Sequence, residues 1–288
     1  MGTIWGDWGV GSEYAPLSAV LLHLPGKEVE DLVNPEDAQM LAPIEADLLR
    51  RQHDALAEAY RSADVQVHYV LPAGVPPPNI MFVRDLFFMT PEGAILARPA
   101  SSVRAGEERH VANRLAQLGV PIIRSVRGRG TFEGADALWL DEKTVLVADG
   151  LRTNEEGANQ VEQVFKEMDV EVVRVGLPYG TMHLLGTLNF ADRDLAVAWP
   201  GRVPFKAVQA LREHNYEVLW LPDQKETMIG MALNFVTLRP RCVLMATNCP
   251  KTASFYEANG IECIEVDISE LTKAAGGLGC LTGILKRG

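Results

Sequence analysis

Two hydrophobic periods alternate along the chain. A stretch with apolar residues every three or four positions leads into a short hydrophilic turn, then into a run rich in Val, Ile and Tyr. This pattern predicts a helix over 44–61 followed by a strand over 65–71. It repeats as helix 107–118 with strand 120–126, helix 155–168 with strand 170–175, helix 204–214 with strand 216–221, and helix 252–259 with strand 261–266. In the first helix Leu48, Leu49, Ala55, Leu56 and Tyr60 share one face, with Arg50, Arg51 and Glu58 turned outward. Further strand candidates at 86–90, 144–149, 195–199 and 241–246 fall between these pairs.

The five strands that follow the helices begin at 65, 120, 170, 216 and 261, in steps of 55, 50, 46 and 45 residues. A period near 50 signals repeated supersecondary units of an α/β protein. Two arrangements fit it: a ring of five units around a central channel, or an ordinary open α/β sheet. No Pro/Gly/Ser linker divides the chain, so residues 1–288 read as a single domain. The Pro-rich stretch PAGVPPPN at 72–79 lies inside the first unit and reads as a stiff loop leading to a site.

Composition narrows the functional classes. At 47% hydrophobic residues the chain can bury a sizeable core. A net charge of -11 with no Lys/Arg-rich run argues against a nucleic-acid partner and suits a small cationic one. No apolar run approaches the roughly 20 residues of a membrane span. The opening residues are acidic and contain Trp, unlike a secretion leader, and Gly2 is followed by Gly6 where a myristoylation signal has Ser or Thr. Cys242, Cys249, Cys263 and Cys280 form no CxxC pair and have no His at zinc-finger spacing. A cytoplasmic protein with reduced thiols is the expectation, three of the four being core residues.

Loops with unusual polar residues follow four of the five repeat strands, and the residues singled out in them include one aromatic. These residues are Asn79, Phe82, Arg84 and Asp85 after the first, Glu133 and Asp136 after the second, His183 after the third, and Cys280 behind Gly276, Gly277 and Gly279 after the fifth. In a ring these loops meet at one end of the channel, bringing together a nucleophile, a proton carrier and carboxylates. Taken singly, each residue has a plainer reading. Asp85 could pair with an Arg, Glu133 could serve a turn, His183 could be a satisfied core histidine and Cys280 a buried thiol.

Together the motifs resemble the guanidino-group-modifying enzymes: arginine deiminases, dimethylarginine dimethylaminohydrolases and amidinotransferases. The resemblance runs from SEYAPLSAVLLHLPG (12–26) through PNxxFxRD (78–85), EGxD (133–136) and MHL (182–184) to GGxxCLT (276–282). It implies the five-fold pseudosymmetric α/β propeller, the pentein ring. It also implies Cys280 as nucleophile, His183 as general acid/base, Glu133 as its partner and Asp85 as the guanidinium-gripping carboxylate. Asn79, Phe82, Arg104, Asp136 and Arg152 are the implied substrate-binding residues. Arg104 lies 19 residues after Asp85 and Arg152 19 after Glu133, as in the family.

The implied reaction is hydrolysis of the guanidino group of arginine or an Nω-substituted arginine, through a covalent thiouronium, giving citrulline plus an amine or ammonia. Two other readings stay open. One is amidino transfer to an amine; the other is a non-catalytic binding protein on the same ring. Leu185 stands where arginine deiminases carry a second guanidinium-binding aspartate, which points to a substituted nitrogen. An arginine expected a few residues before the cysteine is absent, and Lys273 is the nearest cation on that side. A thiolate needs a nearby cation, either the bound guanidinium or protonated His183, and a site cysteine of low pKa is expected to label quickly. No metal or organic cofactor is called for, and a homo-oligomer is left open.

Overall fold

The computed structural model describes residues 6–30, 32 and 34–288. Readings placed on residues 1–5, Gly2 included, lie outside the described residues. The five expected helices fall at Ala46–Ser62, Glu107–Gln117, Glu155–Glu167, Phe205–Glu213 and Pro250–Ala258. The strands after them fall at Gln66–Tyr69, Ile122–Ser125, Glu171–Gly176, Glu217–Trp220 and Glu262–Val266. Burial explains the helical periods: Leu49, Gln52, His53, Leu56, Ala57 and Tyr60 form the covered face of the first helix. Caps fix where helices start. The Glu45 side chain accepts from Leu48 N–H at 3.0 Å, and Asn154 accepts from Gly157 N–H at 2.8 Å. Each helix ends the same way. Two residues past the last turn, Asp64, Gly119, Asp169, Asn215 and Gly260 take positive φ, between 57° and 76°. These are the residue types that tolerate the left-handed region and release the chain into the next strand.

Among the described residues fifteen strands form five sheets of three. Four sheets share one plan: a hairpin, then a strand brought back parallel to its second member by the helix crossover. Thus Phe87–Thr90 pairs antiparallel with Gly93–Leu96, which pairs parallel with Ile122–Ser125. Ala137–Asp141, Thr144–Asp149 and Glu171–Gly176 repeat this, as do Leu188–Asp192, Leu195–Ala198 and Glu217–Trp220. Val236–Arg239, Cys242–Ala246 and Glu262–Val266 complete the set.

The remaining sheet closes the ring. Its middle strand, Leu17–Leu22, pairs parallel with Gln66–Tyr69, but its antiparallel partner is Gly283–Arg287, at the other end of the sequence, with Val20 opposite Ile284. An open sheet would not join the two ends in this way, so the ring expected from the resemblance is the fold. The hairpin strands are almost wholly buried and the crossover strands half exposed, as expected when helices cover one side and neighbouring sheets the other. Arg287 donates to the carbonyls of Ala15 and Thr237. Arg84 pairs with Glu13 at 3.2 Å, and Glu13 also accepts from Trp139 N–H. This buried network ties the inner strands of different sheets together.

Candidate active site

The inner strands are entered through short turns, and these turns carry the polar residues singled out in the sequence. Val83–Leu86 precedes the strand at 87, Gly134–Asp136 the one at 137, Leu184–Gly186 the one at 188, and Leu278–Leu281 the one at 283. They pack side by side, 278–281 against 83–86, then 134–136, then 184–186. Gly134 makes this possible. A Cβ there would lie 2.2 Å from the Phe87 carbonyl oxygen and 2.5 Å from that of Arg84. Gly134→Ala is therefore expected to cost about 1–3 kcal/mol through backbone displacement. Denaturant unfolding checks this, and an unchanged midpoint would contradict it.

Asp85, Glu133 and His183 come together, all buried. Glu133 Oε2 lies 2.6 Å from His183 Nε2, and Glu133 Oε1 accepts from Ala100 N–H at 3.1 Å. Glu133 thus fixes the ring and leaves Nδ1 free, 3.8 Å from Asp85 Oδ1. Burial opposes charge on His183, but the carboxylates of Asp85, Asp136 and Glu133 outweigh it and raise its pKa to about 9. Burial likewise opposes charge on Glu133. Its hydrogen bond from His183 and the charges of His183, Arg104 and Arg152 win, and it falls to about 2.

The resemblance implies that Arg104 binds substrate; it lines the smaller site cavity, but its guanidinium is already engaged. Nη1 donates to Asp85 Oδ2 at 2.6 Å, Nε to Glu107 at 2.9 Å, and Nη2 to the carbonyls of Asn79 and Phe82. It holds one oxygen of Asp85, as the plainer reading of Asp85 anticipated. Among the described residues Asp85 Oδ1 is left buried without a hydrogen-bond donor, His183 Nδ1 being 3.8 Å away. Asp136 departs from its implied role. It is fully buried, lines neither site cavity, and accepts from Thr153 at 2.6 Å and Leu184 N–H at 3.1 Å. It positions the backbone beside His183 and does not face a ligand. Burial raises its pKa to about 7.

Cys280 sits in the helical turn before the last strand, half-buried. Its neighbour was not foreseen: Asn234, from the fourth unit. Asn234 Nδ2 donates to Cys280 Sγ at 3.2 Å, and its Oδ1 accepts from Cys280 N–H at 3.0 Å. Gly277 makes room, since a Cβ there would meet the Asn234 side chain at 2.7 Å. Burial and the nearby Asp85 carboxylate push the Cys280 thiol up to about 11, opposite in direction to the expected low pKa. The other three cysteines are unpaired, and burial raises the pKa of each.

Two cavities meet at Cys280 and His183. The smaller, about 40 Å³, is polar: Asn79, Phe82, Asp85, Arg104 and Arg152 line it, and it reaches the surface at exposed Gln39. Asn79 donates to the Ala38 carbonyl and keeps Oδ1 buried and unpartnered. Arg152 lies 3.9 Å from Glu133 and also has an unpartnered Nε. The larger cavity, about 270 Å³, lies on the side of Leu185. Neither Lys273 nor Glu226 lines them. Lys273 pairs with Glu270, and Glu226 caps helix Pro250–Ala258 by accepting from Thr252 and Lys251 N–H. Ligand atoms of Asp85, Glu133 and His183 lie within 4.8 Å of one another, and the Arg104 guanidinium 2.6 Å from Asp85 and 3.7 Å from Glu133 supplies positive charge there.

Residues 37–285 match the family model of N,N-dimethylarginine dimethylhydrolase, eukaryotic. The chain is 29% identical to N(G),N(G)-dimethylarginine dimethylaminohydrolase of Streptomyces coelicolor over 82% of its own length and 85% of that protein's. Among solved structures it resembles dimethylarginine dimethylaminohydrolase from Pseudomonas aeruginosa in complex with citrulline, with a TM-score of 0.79 and 22% identity over 95% of this chain and 100% of that one. It also resembles SxtG, an amidinotransferase from Microseira wollei, with a TM-score of 0.75 and 16% identity over 98% and 97% of the two chains. Both structures share the ring fold.

Proposed function

The chain belongs to the N,N-dimethylarginine dimethylhydrolase family, and on that premise we propose that it hydrolyses the guanidino group of an Nω-substituted arginine through a covalent bond to Cys280. The observation that carries this reading is the unpartnered, buried Oδ1 of Asp85, set beside the free Nδ1 of His183 and opening on the same cavity as Cys280. A buried carboxylate oxygen without a donor is costly, and a guanidinium supplies the missing N–H. Arg104, by holding Oδ2, aims Oδ1 at the substrate and acts as a positioning residue. Arg152, Asn79 and Phe82 face the polar end of the substrate.

The reaction follows from the protonation states. The resting pair is thiol and imidazolium. A guanidinium bound on Asp85 places a positive charge beside Sγ, so the thiol gives its proton to solvent water, and Asn234 Nδ2 donates a hydrogen bond to the thiolate. Sγ attacks the guanidinium carbon, and His183 Nδ1 gives its proton to the departing amine. Water then attacks the thiouronium carbon, His183 Nδ1 takes the water's proton, and Sγ leaves. Guanidinium and water become a ureido product and an amine. Leu185 in place of a carboxylate favours a nitrogen that has carbon in place of hydrogen. Amidino transfer shares the first half of this path and differs only in what attacks the thiouronium. Citrulline formed from dimethylarginine without an added amine tests hydrolysis; a requirement for an acceptor amine would replace it with transfer.

A pH profile follows from the same pair. The reactive form, thiolate with imidazolium, carries one proton fewer than the resting form. Its share therefore grows about tenfold per pH unit until His183 titrates near 9, stays level, and falls above about 11, where both protons are gone. The expected kcat/KM profile has its maximum between these values. A profile already level at neutral pH would contradict the protonation states.

A further inference from the structure

Cys280 lies between two unlike cavities, and the hydrolytic reading places the guanidinium and the amino-acid part in the polar one and uses only Leu185 of the other. The other is much the larger, about 270 Å³ against 40 Å³. Met182, Leu185, Trp199, Met228, Met231 and Leu233 line it. Leu185 lies against the turn that carries the nucleophile, close enough that a Cβ on Gly279 would touch its Cδ2 at 3.3 Å. Two of the lining residues reach the surface, Met182 and Met228 being 41% and 47% exposed. Among the described residues no carboxylate lines this cavity, which disfavours a second cationic group. Arg202 there is already engaged, donating to the Gly180 carbonyl at 2.9 Å and lying over the Trp199 ring at 5.3 Å, which leaves little to attract an anion.

We propose that this cavity receives an apolar substituent larger than methyl on the nitrogen that leaves, so that the amine released is carbon-rich. The proposal rests on the hydrolytic reading and specifies its substrate class. The polar cavity holds the guanidinium and faces the amino-acid part, and the nitrogen on the far side of the carbon points past Leu185 into the apolar space. The chemistry is unchanged. The Sγ–C bond forms as the C–N bond to the substituted nitrogen breaks, the amine departs with the proton from His183 Nδ1, and water completes the ureido product. Met-rich walls adapt to the shape of such a group.

The test is kcat/KM for Nω,Nω-dimethyl-, Nω-butyl- and Nω-benzyl-L-arginine, read as citrulline formed by the full chain and by a cavity-filling variant. Gly186 lines the cavity, and a Cβ added there meets no atom within 4 Å, so Gly186→Leu adds volume without a backbone clash. The butyl or benzyl substrate is expected to exceed the dimethyl one by about tenfold or more, since each methylene in an apolar pocket is worth on the order of tenfold or more. Gly186→Leu is expected to cut that ratio by about tenfold or more. If this variant does not fold, Met228→Trp, at the half-exposed mouth, is expected to cut it in the same direction. Dimethylarginine turned over with butyl and benzyl inert, or a ratio that the filling variants leave unchanged, overturns the proposal while hydrolysis stands. No citrulline from any of the three overturns both.

Discussion

Cys280→Ser is expected to lower kcat by at least about 10³-fold while the protein still folds. The magnitude follows from the loss of the nucleophile, because a serine hydroxyl ionises far less readily than even this raised thiol. Folding is expected to survive because the backbone contacts of the turn do not depend on sulfur. Cys280 N–H still has Asn234 Oδ1 at 3.0 Å, and Gly279 N–H still has the Asn234 carbonyl at 2.9 Å. Oxygen can also accept the Asn234 Nδ2 hydrogen bond that sulfur accepts at 3.2 Å. Steady-state citrulline formation beside a thermal unfolding curve checks both halves. Activity within tenfold of the parent would remove Cys280 from the chemistry, and a collapsed melting curve would show that its role is structural.

The second large effect is at the proposed proton carrier. His183→Ala is expected to cost roughly 10²–10⁴-fold with an amine-releasing substrate, the usual range for a positioned acid. The loss should be unequal across the reaction. If the leaving group is a thiolate, as in an S-methyl isothioureido analogue of citrulline, it needs no proton, and the first step should survive. The second step still needs a base for water. The variant should therefore trap the analogue as a lasting adduct on Cys280, with one equivalent of thiol released. Equal losses on both substrates, with no adduct, would show that His183 only supports the fold. The substitution also removes the group that most lowers the Glu133 pKa, so a structural contribution is separated by measuring unfolding in parallel.

The units themselves were legible in the sequence because each helix and crossover strand is a local pattern. The five helices and the five strands after them stand within two residues of the periods that predicted them. A further local signal went unread: the Asp, Gly, Asp, Asn and Gly that stand two residues past the five helices and take positive φ. Closure of the ring was not legible from period alone. It depends on Gly283–Arg287 pairing with Leu17–Leu22 across the whole chain, and only the resemblance pointed to it.

At the site, legibility follows the same division. Asp85, Glu133, His183 and Cys280 were visible as unusual residues in loops before strands. Asn234 was missed because the fourth loop offers an amide where its neighbours offer ionisable groups, although it stands two residues before its strand just as Asp85 does. For Arg104 and Asp136 the spacing shows which turn each residue occupies, and not which donors and acceptors are already taken there. Arg104 is committed to Asp85 and Glu107, and Asp136 to Thr153 and Leu184. The raised thiol pKa depends on burial and on Asp85 arriving from another unit, so nothing near Cys280 in the sequence announces it.

The covalent intermediate is the central claim, and intact-protein mass spectrometry of an acid-quenched steady state tests it most directly. With a turned-over Nω-substituted arginine, the account predicts a mass increase equal to the substrate less its departing amine. The adduct should map to the peptide bearing Cys280, disappear as substrate is exhausted, and be absent from Cys280→Ser. Full turnover with an unmodified Cys280 at every quench time, or the same adduct on the serine variant, would contradict it.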